Sequence, residues 1–252
     1  MERGNIRENM IILVGTGHVF NLSQALLKVF DEKKPDILCV ELDKQRYNAL
    51  MFKQSDPEKY QEHSKNLPFL YKILARFQEN MAEEYGVQAG EEMITTINYA
   101  QSHQLPLAFI DMNAQYLFIR MLKSMSIREK IRMLFSGLAG FFVSKKRVEK
   151  ELSRLEDNFD KYMDEIGEKF PTVKRVLVDE RNHYMAQQLV DLSKQHEKIV
   201  AVVGDGHIPG ISDILNKKNI EFETIRLSEL RKEDTIVPDA STASFSIEHR
   251  ID

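Results

Sequence analysis

Short apolar runs recur along the chain, and each ends in a polar residue or a glycine-rich turn. Residues 10–15, 37–40, 105–110, 199–203 and 220–225 read as buried strands. Between them, apolar residues return at helical spacing. Leu22, Ala25, Leu26, Val29 and Phe30 make one such stripe, with Asn21 or Ser23 placed to cap it and Lys33-Lys34-Pro35 placed to stop it. Further helices are predicted from about Asp43 onward, over 57–85 with a break at Pro68, over 91–102 and 113–125, over 171–193, and over 208–215. Strands that alternate with helices specify an α/β fold, and right-handed crossovers make the strands parallel.

The expected fold is therefore a single α/β domain over residues 1–230, with a largely parallel central sheet flanked by helices. Residues 126–178 differ in character, being long, charged and periodic. They are expected to form a helical insertion over the cleft, with helices near 127–135 and 145–167. Residues 231–252 are polar and weakly patterned and read as a C-terminal tail.

Composition narrows the classes. Of 252 residues, 35 are Lys or Arg and 39 are Asp or Glu, a formal charge of -4 that argues against a general nucleic-acid binder. The one cysteine, Cys39, lies in a strand run; the count excludes a disulfide framework and a CxxC metal site. The N-terminus lacks the apolar stretch of a secretory leader, and no apolar run approaches the length of a membrane span, so a cytoplasmic location is expected. The apolar run 134–143 (LFSGLAGFFV) has basic residues on both sides. It is either a buried helix or hairpin, or a peripheral contact for a membrane surface or a protein partner; a homo-oligomer is a separate expectation.

Two copies of one device carry the candidate chemistry. Gly15-Thr16-Gly17 ends the first strand and is followed by His18; Gly204-Asp205-Gly206 ends the fourth and is followed by His207. Glu41 and Asp111 close two other strand runs. In parallel α/β sheets, ligands gather beyond the carboxyl ends of strands where strand order reverses. His18, Glu41, Asp111 and His207 therefore define a candidate crevice, although each alone has an ordinary reading as a helix cap or a satisfied core histidine. A dinucleotide fingerprint would need a third glycine where Phe20 and Pro209 stand, so the glycines serve better to admit close backbone or a small ligand. Two imidazoles with acids would suit Zn, Mn, Co or Fe and leave room for a water of lowered pKa. These ligands come from separate strands, so no local spacing certifies a metal site.

Asp179, Glu180, Arg181 and His183 share one predicted helix. Glu180 and His183, three apart, are either an ordinary surface pair or part of a site. In the second case Glu180 is a ligand or general base, and Arg181 clamps an oxyanion or carboxylate. Glu91 and Glu92 open another helix, and only one of them can face the crevice.

Taken in order, these motifs resemble the TraB/PrgY family, which is related to the TIKI proteases and to the erythromycin-esterase/ChaN-like fold. The resemblance covers about residues 10–228. It rests on the two Gly-x-Gly-His turns, Val40-Glu41-Leu42-Asp43 with Arg46, Glu91-Glu92-Met93, Asp111 with Arg120, and Glu180-Arg181-Asn182 before Met185-Ala186. Met112 stands where relatives often have an arginine, and the chain lacks the tryptophan usual beyond the Arg120 position. The resemblance singles out Glu92 as the acid of its helix. It implies divalent-metal-dependent hydrolysis of a peptide or related amide, as in the TIKI branch. His18, His207 and Glu41 would then hold the metal, Glu92 or Glu180 would move the proton, and Arg181 or Arg120 would stabilise developing charge. Gly15, Gly17, Asp111, Gly204 and Gly206 would line the cleft. PrgY-like proteins imply the alternative, retention of a peptide or small-molecule ligand without turnover; a membrane-surface or partner scaffold is the third expectation.

Overall fold

The computed structural model describes residues 10–17, 21–56, 90–140, 165 and 167–234, of which 134–140 and 233–234 are described by backbone alone. Five strands form the sheet: β1 (Met10–Thr16), β2 (Ile37–Val40), β3 (Leu107–Phe109), β4 (Lys198–Gly204) and β5 (Phe222–Ile225). Their spatial order is β3-β2-β4-β1-β5, and every neighbouring pair is parallel. This is the α/β architecture that the alternation of runs predicts.

Because side chains alternate across a strand, each central strand feeds two cores. Ile12, Val14, Leu38, Val40, Val200 and Val202 point to one face, where they meet α1 (Ser23–Lys33), α3 (Glu91–Ser102) and Leu230 of the last described helix. Ile11, Leu13, Ile37, Cys39, Ile199, Ala201 and Val203 point to the other, against α6 (Glu180–Leu192) and α7 (Ile208–Lys217). Both faces are covered, so the strands read as unbroken apolar runs. Full burial pushes the Cys39 thiol far above its ordinary range, which suits packing and not nucleophilic chemistry.

The same division of helices creates the crevice. The connections from β1 to β2 and from β2 to β3 run toward one edge of the sheet, with α1 and α3 on the first face. Those from β3 to β4 and from β4 to β5 run back toward the other edge, with α6 and α7 on the second face. The direction reverses at β4, whose neighbours β1 and β2 send their outgoing chain to the opposite side. A gap opens there at the carboxyl ends.

Among the described residues, further helices are α2 (Lys44–Ser55), α4 (Ala114–Ser124), α5 (Ile127–Gly140) and α8 (Leu227–Asp234). Asp43 caps α2 by accepting from the N–H groups of Gln45 (2.8 Å) and Arg46 (3.1 Å), and its other oxygen accepts from Ala114 N–H at 3.2 Å. One carboxylate thus ties the starts of α2 and α4 together beside the crevice. Lys34, left-handed at φ 48°, ends α1 ahead of Pro35.

Four details differ from expectation. Neither Asn21 nor Ser23 is the N-cap of α1: Leu22 holds that position without a side-chain bond, and Asn21 Oδ1 accepts from Ser23 N–H at 3.2 Å. The third strand is only three residues long, so Asp111 stands two residues past its end. α8 runs to Asp234, four residues into the expected tail. The helix expected over 171–193 is interrupted: a turn at Pro171–Lys174 passes into a π-helical segment, Arg175–Asp179, before α6 begins. Val176 of that segment packs on Leu117 and Met121 of α4 and on Met125. Of the expected helical insertion, α5 and 171–178 are described, while the predicted helix at 145–167 falls mainly outside the described residues, as does the one at 57–85.

Candidate functional site

Glu41 follows β2 immediately and is 6 % exposed. A carboxylate so placed needs donors to replace water. Its Oε2 accepts from Gly204 N–H at 2.6 Å, at the end of the neighbouring β4. Its Oε1 accepts from Arg181 Nη2 and lies 3.5 Å from His207 Nε2. Asp111, 5 % exposed, is forked by the same arginine: Arg181 Nε reaches Oδ1 at 3.0 Å and Nη2 reaches Oδ2 at 2.9 Å. Arg46 Nη1 adds a bond to Asp111 Oδ2 at 3.0 Å and one to the Glu41 carbonyl at 3.3 Å, and Met112 N–H donates to Oδ1 at 2.7 Å. Two buried carboxylates therefore face two guanidiniums. Burial disfavours charge on Arg181, but Glu41 and Asp111 outweigh it and hold the guanidinium above its ordinary range.

His207 arrives by a different local route. β4 ends in Gly204, and a single 3₁₀ turn, Asp205–His207, leads into α7. The imidazole is buried, with Nδ1 2.6 Å from Asn182 Oδ1. An amide oxygen only accepts, so Nδ1 carries a hydrogen and Nε2 is left to face Glu41. A protonated ring would complete an ion pair there, and a neutral ring would present its lone pair.

Crowding explains Gly15 and Gly204, one glycine of each turn. A Cβ on Gly15 would stand 2.2 Å from Asp205 Oδ1 and 3.2 Å from its Cα; one on Gly204 would stand 3.3 Å from Glu41 Oε2. Asp205 cannot swing away freely, because Arg226 forks it at 2.9 and 2.7 Å and Leu227 N–H donates to it at 2.9 Å. Gly17 lies just beyond β1, and Gly206 is the middle residue of the 3₁₀ turn. Gly210 plays a matching part: its Cβ would meet Asn182 Nδ2 at 2.1 Å, so it makes room for the amide that orients His207.

Glu180 and His183 find their partners outside this cluster. Glu180, beside Arg181 in sequence, turns outward. Arg120 forks it at 2.5 and 3.2 Å, and Arg175 Nη1 donates to it at 2.6 Å. The bond from Arg120 is the main reason its carboxyl sits below the ordinary range, partial burial opposing the shift. His183 does not join Glu180 in a site: its Nδ1 pairs with the Asp179 carbonyl at an exposed position. Glu92 is 2 % exposed in the first turn of α3, with Oε2 shielded from solvent, whereas Glu91 is only half-buried. Its helix, α3, packs on the sheet face opposite α6. His18 lies outside the described residues.

Arg46, Asn182, Arg175, Arg226 and Gly210 take part, yet sequence reasoning gave them no role. Asn182 had the best signal, as the third member of Glu180-Arg181-Asn182. The π-helical segment just before it, which no apolar periodicity announces, precedes the change in direction from the rim residue Glu180 to the crevice residue Arg181.

Among the described residues, no group of three or more His, Cys, Asp or Glu side chains is placed to hold a metal ion. Glu41 and His207 make a set of two, and Glu41 is already bound by Arg181. His18, the third expected ligand, lies outside the described residues.

The sequence model of the TraB/PrgY/gumN family matches residues 3–224. The chain belongs to that family. It is 33% identical over 217 residues, 84% of this chain and 55% of the relative, to an uncharacterized protein of Methanocaldococcus jannaschii. It is 23% identical over 233 residues, 80% of this chain and 61% of each relative, to the TraB domain-containing proteins of Bos taurus and Homo sapiens. The chain thus spans between 55% and 61% of the length of these curated relatives.

Proposed function

We infer that the crevice of this TraB/PrgY/gumN family member binds and retains a peptide or small polar ligand without turning it over. The observation that carries this reading is the Glu41–Arg181–Asp111 cluster. A general base must be free to take a proton near neutral pH. Glu41 instead accepts from Arg181 at one oxygen and from the Gly204 N–H at the other, so both of its oxygens are already engaged. What the cluster offers is fixed geometry: every polar group in it is oriented by another before a ligand arrives. Arg46, with a side chain 39 % exposed, and the edge of His207, 11 % exposed, are the groups a ligand can reach. The test is equilibrium binding of short peptides to untagged, metal-replete protein, with the recovered ligand analysed by mass spectrometry. Intact ligand, with affinity lowered by His207→Ala, is the expected result. Cleaved product would overturn the reading.

A second reading, divalent-metal-dependent hydrolysis of a peptide or related amide, is favoured by one observation. A ligating histidine commonly has its second ring nitrogen fixed by a hydrogen bond, and Asn182 does this for His207. Mn, Co, Zn and Fe all remain candidates for such a site. Elemental analysis of wild type, His18→Ala and His207→Ala, each purified without a histidine tag, decides it. Stoichiometric metal in wild type that is lost in both variants supports the reading, and equal metal content in all three removes it. Among the described residues no helix is long and apolar enough to cross a membrane. A cytoplasmic setting, self-association and a peripheral contact through 134–143 stay proposals beside these two.

A further inference from the structure

The outer wall of the crevice begins one residue from Arg181 and has the opposite electrostatic character. Within the crevice, two carboxylates meet two guanidiniums. On the wall, Arg120 and Arg175 share the single carboxylate of Glu180, and Lys123, exposed one helical turn beyond Arg120, makes no ion pair among the described residues. Three cations against one anion leave an excess of two positive charges. These groups are accessible: the side chains of Arg120 and Arg175 are 41% and 47% exposed.

The same face of α4 carries apolar surface. Tyr116 and Ile119 are 52% and 43% exposed, and with Arg120, Lys123 and Ser124 they line a cleft of about 300 Å³. These positions fall at helical spacing, so α4 presents an aromatic-aliphatic floor with cations along it. That volume lies at the lower bound of ordinary ligand sites, about 300–1,000 Å³, and suits one or two residues of a peptide.

We propose that this cleft receives the C-terminal end of a peptide, with its α-carboxylate on Arg120, Arg175 and Lys123 and its last apolar side chain on Tyr116 and Ile119. Glu180 shows which group the arginine pair accepts, since it is a carboxylate held in a fork by Arg120 with a further bond from Arg175. An arginine has five N–H donors, and Arg175 spends one of them on Glu180, so a second carboxylate finds donors without displacing the first. Charge complementarity selects the acid over the amide, and the flat apolar floor selects what precedes it. This deepens the ligand-binding reading of the crevice and rests on it: the chain preceding the terminus would run toward Arg46 and His207.

The test uses the full chain and three probes in titration calorimetry at low salt: acetyl-Ala-Leu with a free carboxylate, the same peptide as its C-terminal amide, and inorganic phosphate. The acid is expected to bind at least about tenfold more tightly than the amide, the scale of one charge-assisted contact. Arg120→Gln and Lys123→Gln should each weaken the acid several-fold and leave the amide unchanged, while His207→Ala weakens both peptides. Both substituted side chains are exposed, so folding is checked simply by an unchanged urea midpoint. Equal binding of acid and amide, or full acid affinity in both rim variants, overturns the inference and spares the crevice reading. Phosphate binding as tightly as the acid also overturns it, because the site would then be a plain anion site. Failure of wild type to bind either peptide overturns both.

Discussion

Arg181 and Arg120 each fork a carboxylate, and their partners in these pairs are strand-end or helix-start acids. The two pairs nevertheless do different work. Arg181 has a side chain 15 % exposed and bridges Glu41, which is 7 % exposed by side chain, and Asp111, which is 1 % exposed. It joins the ends of β2 and β3 to α6, across the gap left by the reversal of strand order. Arg120 makes its fork in water, with 41% of its side chain exposed, and joins only two helices. The chemistry of the bond is the same. Solvent decides whether the pair is part of the fold or is available to a ligand.

The largest expected effect comes from breaking the buried pair. Arg181→Met leaves Glu41 and Asp111 without their shared cation in a place water barely reaches. Removing one partner of a buried pair costs about 3–5 kcal/mol, and Arg46 compensates only Asp111. Urea unfolding measures the loss, and a change under about 1 kcal/mol would mean that water enters the crevice freely. Next in size is Gly15→Ala. The new methyl group meets an Asp205 carboxylate held by Arg226 and Leu227, so it must push backbone apart. Overpacking of this kind costs about 1–3 kcal/mol, again read from urea unfolding. A neutral result would show that the 3₁₀ turn before His207 yields easily.

The sheet was legible because its central strands are buried on both faces. That burial demands runs such as 199–203, and each run states its own length. The edge strand β3 is half-buried, and there the apolar signal overran the hydrogen-bonded residues at both ends. The crevice was legible in part. Glu41, Asp111 and His207 were visible because an ionisable residue at the end of an apolar run needs a reason. Their pairing with Arg181 was not, since a helix period alone does not say which way Glu180, Arg181 and His183 face. The π-helical segment just ahead of them has no signature in the spacing of apolar residues. Asn182 and Gly210 depend on each other across the α6–α7 contact, and such pairs leave no trace along one sequence.

Glu129 supplies a smaller and pH-dependent effect. It lies at the start of α5, where it accepts from Ser126 N–H (2.8 Å) and Oγ (3.0 Å) and from Thr172 N–H (2.8 Å) and Oγ1 (3.0 Å). Burial pushes its carboxyl up, but these four donors outweigh burial and lower the pKa from 4.5 to about 2. A depressed folded value means that the stabilisation is fully present above the unfolded value and fades as pH falls from 4.5 toward 2. Glu129→Gln should cost about 1–2 kcal/mol at neutral pH and flatten the acid limb of a stability profile measured by urea unfolding between pH 2 and 6. An unchanged acid limb would assign the acid sensitivity to other carboxylates.

The smallest effect belongs to the rim, and it tests the comparison most directly. Glu180→Gln removes the charge that Arg120 and Arg175 share. Exposed ion pairs contribute little, because water and salt already screen them. The urea midpoint should therefore not move, in contrast to the Arg181 variant one position away. The substitution does raise the net positive charge of the wall, and an anionic ligand should respond to that. Affinity for the carboxylate-terminated peptide should rise or hold, and its dependence on salt should steepen. If Glu180→Gln instead unfolds the protein as readily as Arg181→Met, the two pairs form one structural network, and solvent exposure is not what separates them.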